Sequence, residues 1–346
     1  MADITVFGAG AFGLSVAFEC ARRGAKVRVI ERRAVGAGSS GGIVGALAPH
    51  TPENWNPKKA FQFDSLIMAA EFWAAVERIG GETAGYARSG RVQPIADDHA
   101  LSLAMERAEN ARTLWQGLAE WRVVDAADVD WAPPSPTGKV IHDTLSARLY
   151  PARACRALAA AIRALGGEIL IGDHDAAPAS AVVWATGYEG LEHLTANHTR
   201  SMGAGVKGQA ALLAFDRRDL PQLFADTLHF IPHYDGTLAI GSTSEREFTD
   251  PAGNDELVED LIARARAAVP DLHDAKVIRT WAGVRPRARS RAPMIGPYPG
   301  KPGQFIANGG FKIGFGMAPK VAAVMADLIL NDHDAIPDPF RVEANF

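Results

Sequence analysis

Apolar and polar positions at the start of the chain trace a strand, a helix and a second strand in close succession. Ile4 to Phe7 is an apolar run ending in the turn Gly8-Ala9-Gly10-Ala11-Phe12-Gly13. Leu14 to Arg23 has helical spacing closed by Gly24, and Lys26-Val27-Arg28-Val29-Ile30 alternates as a strand up to Glu31. The same spacing predicts a helix over Phe61 to Ile79, stopped by Gly80-Gly81, and another over about His99 to Trp121. Three more are expected at Ala152 to Leu165, Asp255 to Val269 and about Ala318 to Leu330, with Pro319 suited to a first turn. Short strands are expected at Glu168 to Gly172 and Ala181 to Ala185, the second running into Thr186-Gly187. Alternation returns at Ala210 to Phe215, Leu228 to Ile231, Thr237 to Gly241 and Lys276 to Trp281, with Tyr234-Asp235-Gly236 as a hairpin turn.

This order predicts an α/β protein. A discontinuous Rossmann-type dinucleotide-binding domain takes residues 1–85, 139–195 and 283–346. An α+β substrate domain with a mainly antiparallel sheet takes 86–138 and 196–282. The boundary at 139 rests on Val140-Ile141-His142, where the chain returns to the character of its first part. A length of 346 residues accommodates two domains.

Composition narrows the class. The apolar share of 47% and charged share of 22% suit a soluble globular enzyme, and a net charge of −4 gives no global attraction to nucleic acid or an anionic membrane. Cys20 and Cys155 have no CxxC partner, so neither a disulfide framework nor a metal site is expected. A first strand at Ile4 leaves no room for a signal peptide, and no apolar run reaches spanning length, so a cytoplasmic protein without integral membrane contact is expected.

The opening stretch carries the first chemistry. Gly8 permits a sharp turn, Gly10 lets a pyrophosphate approach, and Gly13 lets the helix pack on the sheet. The helix N-terminus attracts phosphate, and Glu31 is placed to accept hydrogen bonds from a ribose. Strand, helix, second strand and an acid eighteen residues past the third glycine coincide, so an adenine dinucleotide is expected rather than a bare structural βαβ unit. Glu31 would repel a 2′-phosphate. FAD and NAD both stay open on these residues. The loop Ala34 to Gly45, with Ser39, Ser40 and Gly42, reads as a cover for the pyrophosphate, or else as a surface linker.

GAGAFG with Glu31, the SSGG loop, VVWATG, WAGVRP at 281–286, APMIGPYP at 292–299 and GGFKIGFGMAP at 309–319 stand in one order along the chain. Together they resemble the glycine oxidase and D-amino acid oxidase group of FAD-dependent amine oxidoreductases, from Ile4 to Leu330. The resemblance implies non-covalent FAD, contacted by Gly8, Gly10, Ala11, Phe12, Gly13, Glu31, Arg32, Ser39, Ser40 and Gly42. Later contacts are implied at Ala185, Thr186, Gly187, Gly283, Gly310, Phe311, Lys312, Ile313 and Gly314. It implies that Arg285 holds a substrate carboxylate, a role suited to a planar, permanently charged guanidinium.

Two positions depart from the group's pattern. His229 stands where a tyrosine is usual, bringing a group expected to titrate near neutrality, and Lys312 stands where a second arginine is usual. A different or bulkier amine is the expectation. The implied reaction moves a hydride from the substrate Cα to flavin N5, after which the imine hydrolyses to a keto acid and ammonia or amine. Reduced flavin would find a positive partner in a helix N-terminus near Met317-Ala318. Oxygen or an electron carrier is the acceptor; a dehydrogenase of this fold or a non-catalytic FAD-binding subunit are the alternatives, and a homo-oligomer is possible. The arginines at 287, 289 and 291 lack the interleaved aromatics of a nucleic-acid patch.

Overall fold

The computed structural model describes residues 2–174 and 179–345. The chain opens with β1 (Ile4–Phe7), α1 (Ala11–Arg22), β2 (Val27–Glu31) and the short β3 (Ala46–Leu47), then α2 (Pro57–Gly80). Next come β4 (Arg91–Pro94), α3 (Asp98–Leu114), β5 (Trp121–Asp125), β6 (Lys139–Asp143) and β7 (Ala147–Arg148). They lead to α4 (Pro151–Ala164), β8 (Glu168–Ile171), β9 (Ala181–Trp184) and α5 (Gly187–Ala196). The second half runs β10 (Gly203–Ala214), β11 (Gln222–Ala225), β12 (Leu228–Pro232), β13 (Thr237–Gly241) and α6 (Glu256–Ala268). It closes with β14 (Lys276–Ala288), β15 (Met294–Pro297), β16 (Gln304–Asn308) and α7 (Gly314–Asn331).

The smaller sheet has the order β15-β16-β9-β1-β2-β8, parallel except for β15. From β1 the chain steps outward to β2 on one side, while β9 and β16 lie on the other. That reversal beside β1 is where doubly wound sheets bind ligands. Helices α1, α2, α4 and α7 pack into one apolar cluster on one face, through Leu14, Phe18, Leu66, Trp73, Leu158 and Val321 among others. The other face is covered by α5, through Leu191 and Leu194.

The larger sheet, β14-β10-β13-β12-β11-β4-β6-β5, is antiparallel except where β11 meets β4. Strand β10 is buried on both faces: Ala211 and Leu213 pack towards α6, while Ala210 and Leu212 pack on Ile43 and Tyr150. The α/β architecture with a mainly antiparallel second sheet is therefore as expected, but several bounds move.

Helix α3 stops at Leu114 rather than near Trp121, because Gln116 (φ 53°) and Gly117 (φ 71°) are left-handed and reverse the chain. Trp121 then starts β5 and packs edge-on against Trp115, so the helical spacing is that of two tryptophans meeting edge to face across a turn. Strand β6, expected on the dinucleotide side of the boundary at 139, pairs with both β4 and β5 in the larger sheet. Strand β14 runs past Trp281 as far as Ala288, paired with β10 along its length, so Gly283 and Arg285 belong to a strand. Helix α7 opens at Gly314, leaving Pro319 inside the helix rather than in its first turn. No helix among the described residues is long and apolar enough to cross a membrane.

Candidate active site

A cavity of about 1080 Å³ lies between the edge of the smaller sheet where β1, β9 and β16 end and the inner face of the larger one. That is at the upper limit of ordinary small-molecule sites, enough for an extended ligand. Its dinucleotide end is built by the glycine turn. Gly8 has φ +102°, and a Cβ there would lie 2.3 Å from the Ala185 carbonyl oxygen, so only glycine lets β1 and β9 end side by side. A Cβ on Gly13 would lie 2.0 Å from the Gly8 oxygen, which ties helix α1 to the turn. Glu31 Oε2 accepts the Ala9 N–H (2.9 Å) and Oε1 that of Arg33 (3.0 Å). The carboxylate is thereby fixed at the end of β2. Ser40 Oγ accepts the Ala11 N–H at 2.9 Å, so the Ser39–Gly42 loop folds back over the start of α1. Arg32 and Arg33 both pair with Glu189 of α5, joining the two lips of this end.

The helices that begin at the cavity differ from those that begin elsewhere. Helices α2, α3 and α6 are capped by Asn56, Asp97 and Asp255, whose side chains accept first-turn N–H groups. Helices α1, α4, α5 and α7 have no such cap from their N-cap residues, and the first residues of all four line the cavity. The positive ends of four helix dipoles thus face one space, an arrangement that favours anions, although the Ala11 N–H of α1 is already held by Ser40 Oγ and the Ala152 N–H of α4 by the Gly42 carbonyl.

At the opposite end stands Arg285. Its Nη1 donates to Ser242 Oγ (2.7 Å), and its Nη2 to the backbone oxygens of Thr243 (2.7 Å) and Lys207 (3.0 Å). Gly208, on the neighbouring strand, makes room: a Cβ there would lie 2.4 Å from Nη2. All three acceptors are neutral, and Nε is buried without a partner. Burial pushes the Arg285 pKa down to about 10, against the opposing pull of Glu245. A positive charge so held is an anchor for an anion.

His229 lines the same end, with its ring 4.8 Å from that of Phe224. Burial, then the charges of Arg91 and Lys312, push its pKa down to about 3. It is neutral over the physiological range, which corrects the expectation of a group titrating near neutrality. Its Nδ1 is buried without a partner in the protein. Lys312 also lines this end, and burial followed by Arg285 and Arg287 lowers its pKa.

Of the residues singled out in the sequence, Gly8, Gly10, Ala11, Phe12, Glu31, Arg32, Ser39, Ser40, Gly42, Ala185, Thr186 and Gly187 line the cavity, and so do Arg285, His229, Gly310, Phe311, Lys312 and Gly314. Gly13, Gly283 and Ile313 do not. Gly283 sits instead against the ring of Trp281, where a Cβ would meet it at 2.5 Å. The helix opening expected near Met317-Ala318 lies at Gly314, which puts its N-terminus directly on the cavity.

The structure adds Trp281, Phe224, Thr227, Ser242 and Val44 to the walls. Trp281 opens the WAGVRP motif, which is the signal for it in the sequence. Ser242 follows a strand with no local mark; Phe224 lies in β11, and Thr227 belongs to the two-residue turn Asp226-Thr227 between β11 and β12, left-handed at both positions. Arg264 holds that turn through Asp226 Oδ2 (2.8 Å) and the Asp226 carbonyl (2.7 Å). No cluster of metal-ligating side chains occurs among the described residues.

The family model for FAD-dependent oxidoreductases matches residues 3–328. The glycine oxidase of Bacillus licheniformis is 28% identical, over 95% of this chain and 93% of its own. The crystal structure of glycine oxidase from Geobacillus kaustophilus superposes with a TM-score of 0.84 at 21% identity, covering 99% of this chain and 98% of that one. That of iminodiacetate oxidase from Chelativorans sp. BNC1 gives 0.81 at 19% identity, covering 98% of each.

Proposed function

The chain belongs to the FAD-dependent oxidoreductase family, and from that premise we propose that it oxidises an amino acid or secondary amine at the carbon bearing both nitrogen and carboxylate. The residues present fit the cofactor. The Gly8 turn admits no side chain, Glu31 is fixed where a ribose would be met, and four helix N-termini face the space between. Gly8, Gly10, Ala11, Glu31 and Ser40 would hold the dinucleotide, while Gly310 to Gly314 and the start of α7 would face the ring system. FAD, when bound, supplies a two-electron acceptor for the hydride lost from the substrate carbon.

The chain's own contribution is binding and orientation. Arg285 holds the carboxylate through charge-assisted hydrogen bonds, which fixes the adjacent carbon relative to the cofactor. Phe224, Phe311, Val284, Val44 and Trp281 make the walls apolar, and water excluded there strengthens the Arg285 interaction. Neutral His229 adds no charge to the site. No side chain is needed as general base, because a substrate amine bound beside Arg285 and Lys312 is disfavoured as a cation and enters neutral. The imine product hydrolyses in water to a keto acid and ammonia or amine. The free, buried Cys20 and Cys155 support a reducing, cytoplasmic setting.

The guanidinium of Arg285, facing the cavity and bonded only to neutral oxygens, carries the proposal. It is tested by adding amines and amino acids to the flavin-loaded protein under nitrogen and following the visible spectrum. Bleaching by an amino acid is expected, and the rate of recovery in air assigns oxygen or a carrier as acceptor. Flavin that dithionite reduces but no amino acid does would overturn the proposal.

A further inference from the structure

The Arg285 end of the cavity holds more positive charge than one carboxylate neutralises. Three cationic groups surround the ring of Phe311: Arg285 at 5.6 Å, Arg287 at 5.7 Å and Lys312 at 5.7 Å from its centroid. None of the three is within ion-pair distance of a carboxylate among the described residues, whereas nearby Arg91 has Asp143 at 3.1 Å. The acids that line the cavity belong to its other end. Glu31 is bound to the Ala9 and Arg33 N–H groups, Glu189 to Arg32 and Arg33, and Asp173 follows β8 beside the Glu31 strand. Glu245, whose charge reaches Arg285, does not line the cavity; it is engaged by Thr243, Gln209 and Lys207.

The placement of these cations is set by backbone. Phe311 is left-handed (φ 44°), and its N–H donates to the Pro286 carbonyl at 3.0 Å. Arg287 and Gly310 form a β-bridge. The turn carrying Lys312 is therefore tied to the strand carrying Arg285. Lys312 is accessible through the cavity, yet the protein around it, Arg285 and Arg287 all lower its proton affinity. A second bound anion would reverse that.

We propose that the substrate is an amine with two carboxylates, the one nearest the reacting carbon held by Arg285 and the other by Lys312. This rests on the assignment of Arg285 as carboxylate anchor, and it makes Lys312 the residue that sets specificity.

The test uses the flavin-loaded protein and two acids that lack an oxidisable amine, thiodiacetate with two carboxylates and methylthioacetate with one. Each is titrated against the flavin spectrum in wild type, Lys312→Met and Arg285→Met, and kcat/KM is measured for iminodiacetate and sarcosine. In wild type, thiodiacetate is expected to bind at least about tenfold more tightly than methylthioacetate, a difference of about 1.4 kcal/mol. In Lys312→Met that ratio, and the preference for iminodiacetate over sarcosine, should fall to within about twofold. Equal binding of the two acids by wild type, or a ratio that survives in Lys312→Met, would overturn the proposal. So would loss of flavin from Lys312→Met, which would give the lysine to the cofactor. If neither acid perturbs the spectrum and Arg285→Met changes nothing, the anchor itself is refuted.

Discussion

Gly208→Ala tests the proposed carboxylate anchor without replacing a charged residue. Gly208 lies in β10 opposite Gly283, and its φ is outside the left-handed region, so alanine is acceptable to the backbone. The new methyl, however, would stand 2.4 Å from Arg285 Nη2, 2.6 Å from Cζ and 2.9 Å from Nη1. Reaching ordinary contact at 3.4 Å requires the guanidinium to move by about 1 Å. Its bonds to Lys207, Ser242 and Thr243 are 2.7–3.0 Å long, so that shift takes at least one of them beyond hydrogen-bond range. A bond to a charged group is worth about 1.5–3 kcal/mol, and a misplacement of about 1 Å at a reacting centre costs about 100-fold in rate. The expectation is a fall of about 100-fold in kcat/KM for the amino acid, with flavin stoichiometry as in wild type because the Gly8–Glu31 end is untouched. Anaerobic rapid-mixing measurements of flavin reduction across a substrate series separate binding from the limiting rate. A kcat/KM within about threefold of wild type, under 1 kcal/mol, would mean that the guanidinium is not the anchor.

Two other perturbations address the cofactor end and its support. Glu31→Gln keeps the shape of the side chain but removes the charge that Ala9 and a ribose hydroxyl would share; FAD binding to the stripped protein, followed by flavin fluorescence, should weaken by about 10–100-fold. An unchanged Kd would remove Glu31 from that role. His233 is fully buried and stacked on Tyr150, and its Nε2 meets the Ile43 carbonyl at 2.9 Å, which assigns the hydrogen to Nε2 and leaves Nδ1 bare and unpartnered. Burial pushes its pKa down to about 4 from an ordinary 6.5, so the unfolded chain binds the proton more readily. Its contribution to stability is present above about pH 6.5 and is lost as pH falls towards 4, by up to about 3 kcal/mol. Melting temperatures over that range should fall with acid more steeply in wild type than in His233→Gln, and equal slopes would refute the assignment.

The dinucleotide end was legible because its geometry is local. Gly8 to Glu31 is one βαβ unit, and each residue that matters is within reach of a pattern a few residues long. A motif marks Arg285, but what suits it to the proposed anchor role is not legible there: Lys207 lies on β10, Ser242 and Thr243 follow β13, and that all three offer neutral oxygens is visible only when the sheet is assembled. His229 shows the same limit, since its pKa is set by burial together with Arg91 and Lys312, which lie far away in sequence. The misplaced end of α3 has a different origin. Trp115, Leu118 and Trp121 recur at helical spacing, and only the left-handed pair Gln116-Gly117 shows that the chain has already turned back. Strand β6 was assigned to the wrong sheet because an apolar run names no partner; its pairing is decided by β4 and β5.

The uncapped helices have a consequence for how the chain becomes stable. Each N-cap side chain is worth about 1 kcal/mol, and α1, α4, α5 and α7 forgo theirs at one common point. Their openings, at residues 11, 151, 187 and 314, are drawn from nearly the whole length of the chain. An anionic cofactor seated among them would do for α5 and α7 what Asn56, Asp97 and Asp255 do singly for α2, α3 and α6, and would add to the bonds that Ser40 Oγ and the Gly42 carbonyl already make at α1 and α4. In cells short of flavin, the chain would carry the unsatisfied first turns of α5 and α7 on that surface, and its lifetime is expected to follow the supply of the cofactor.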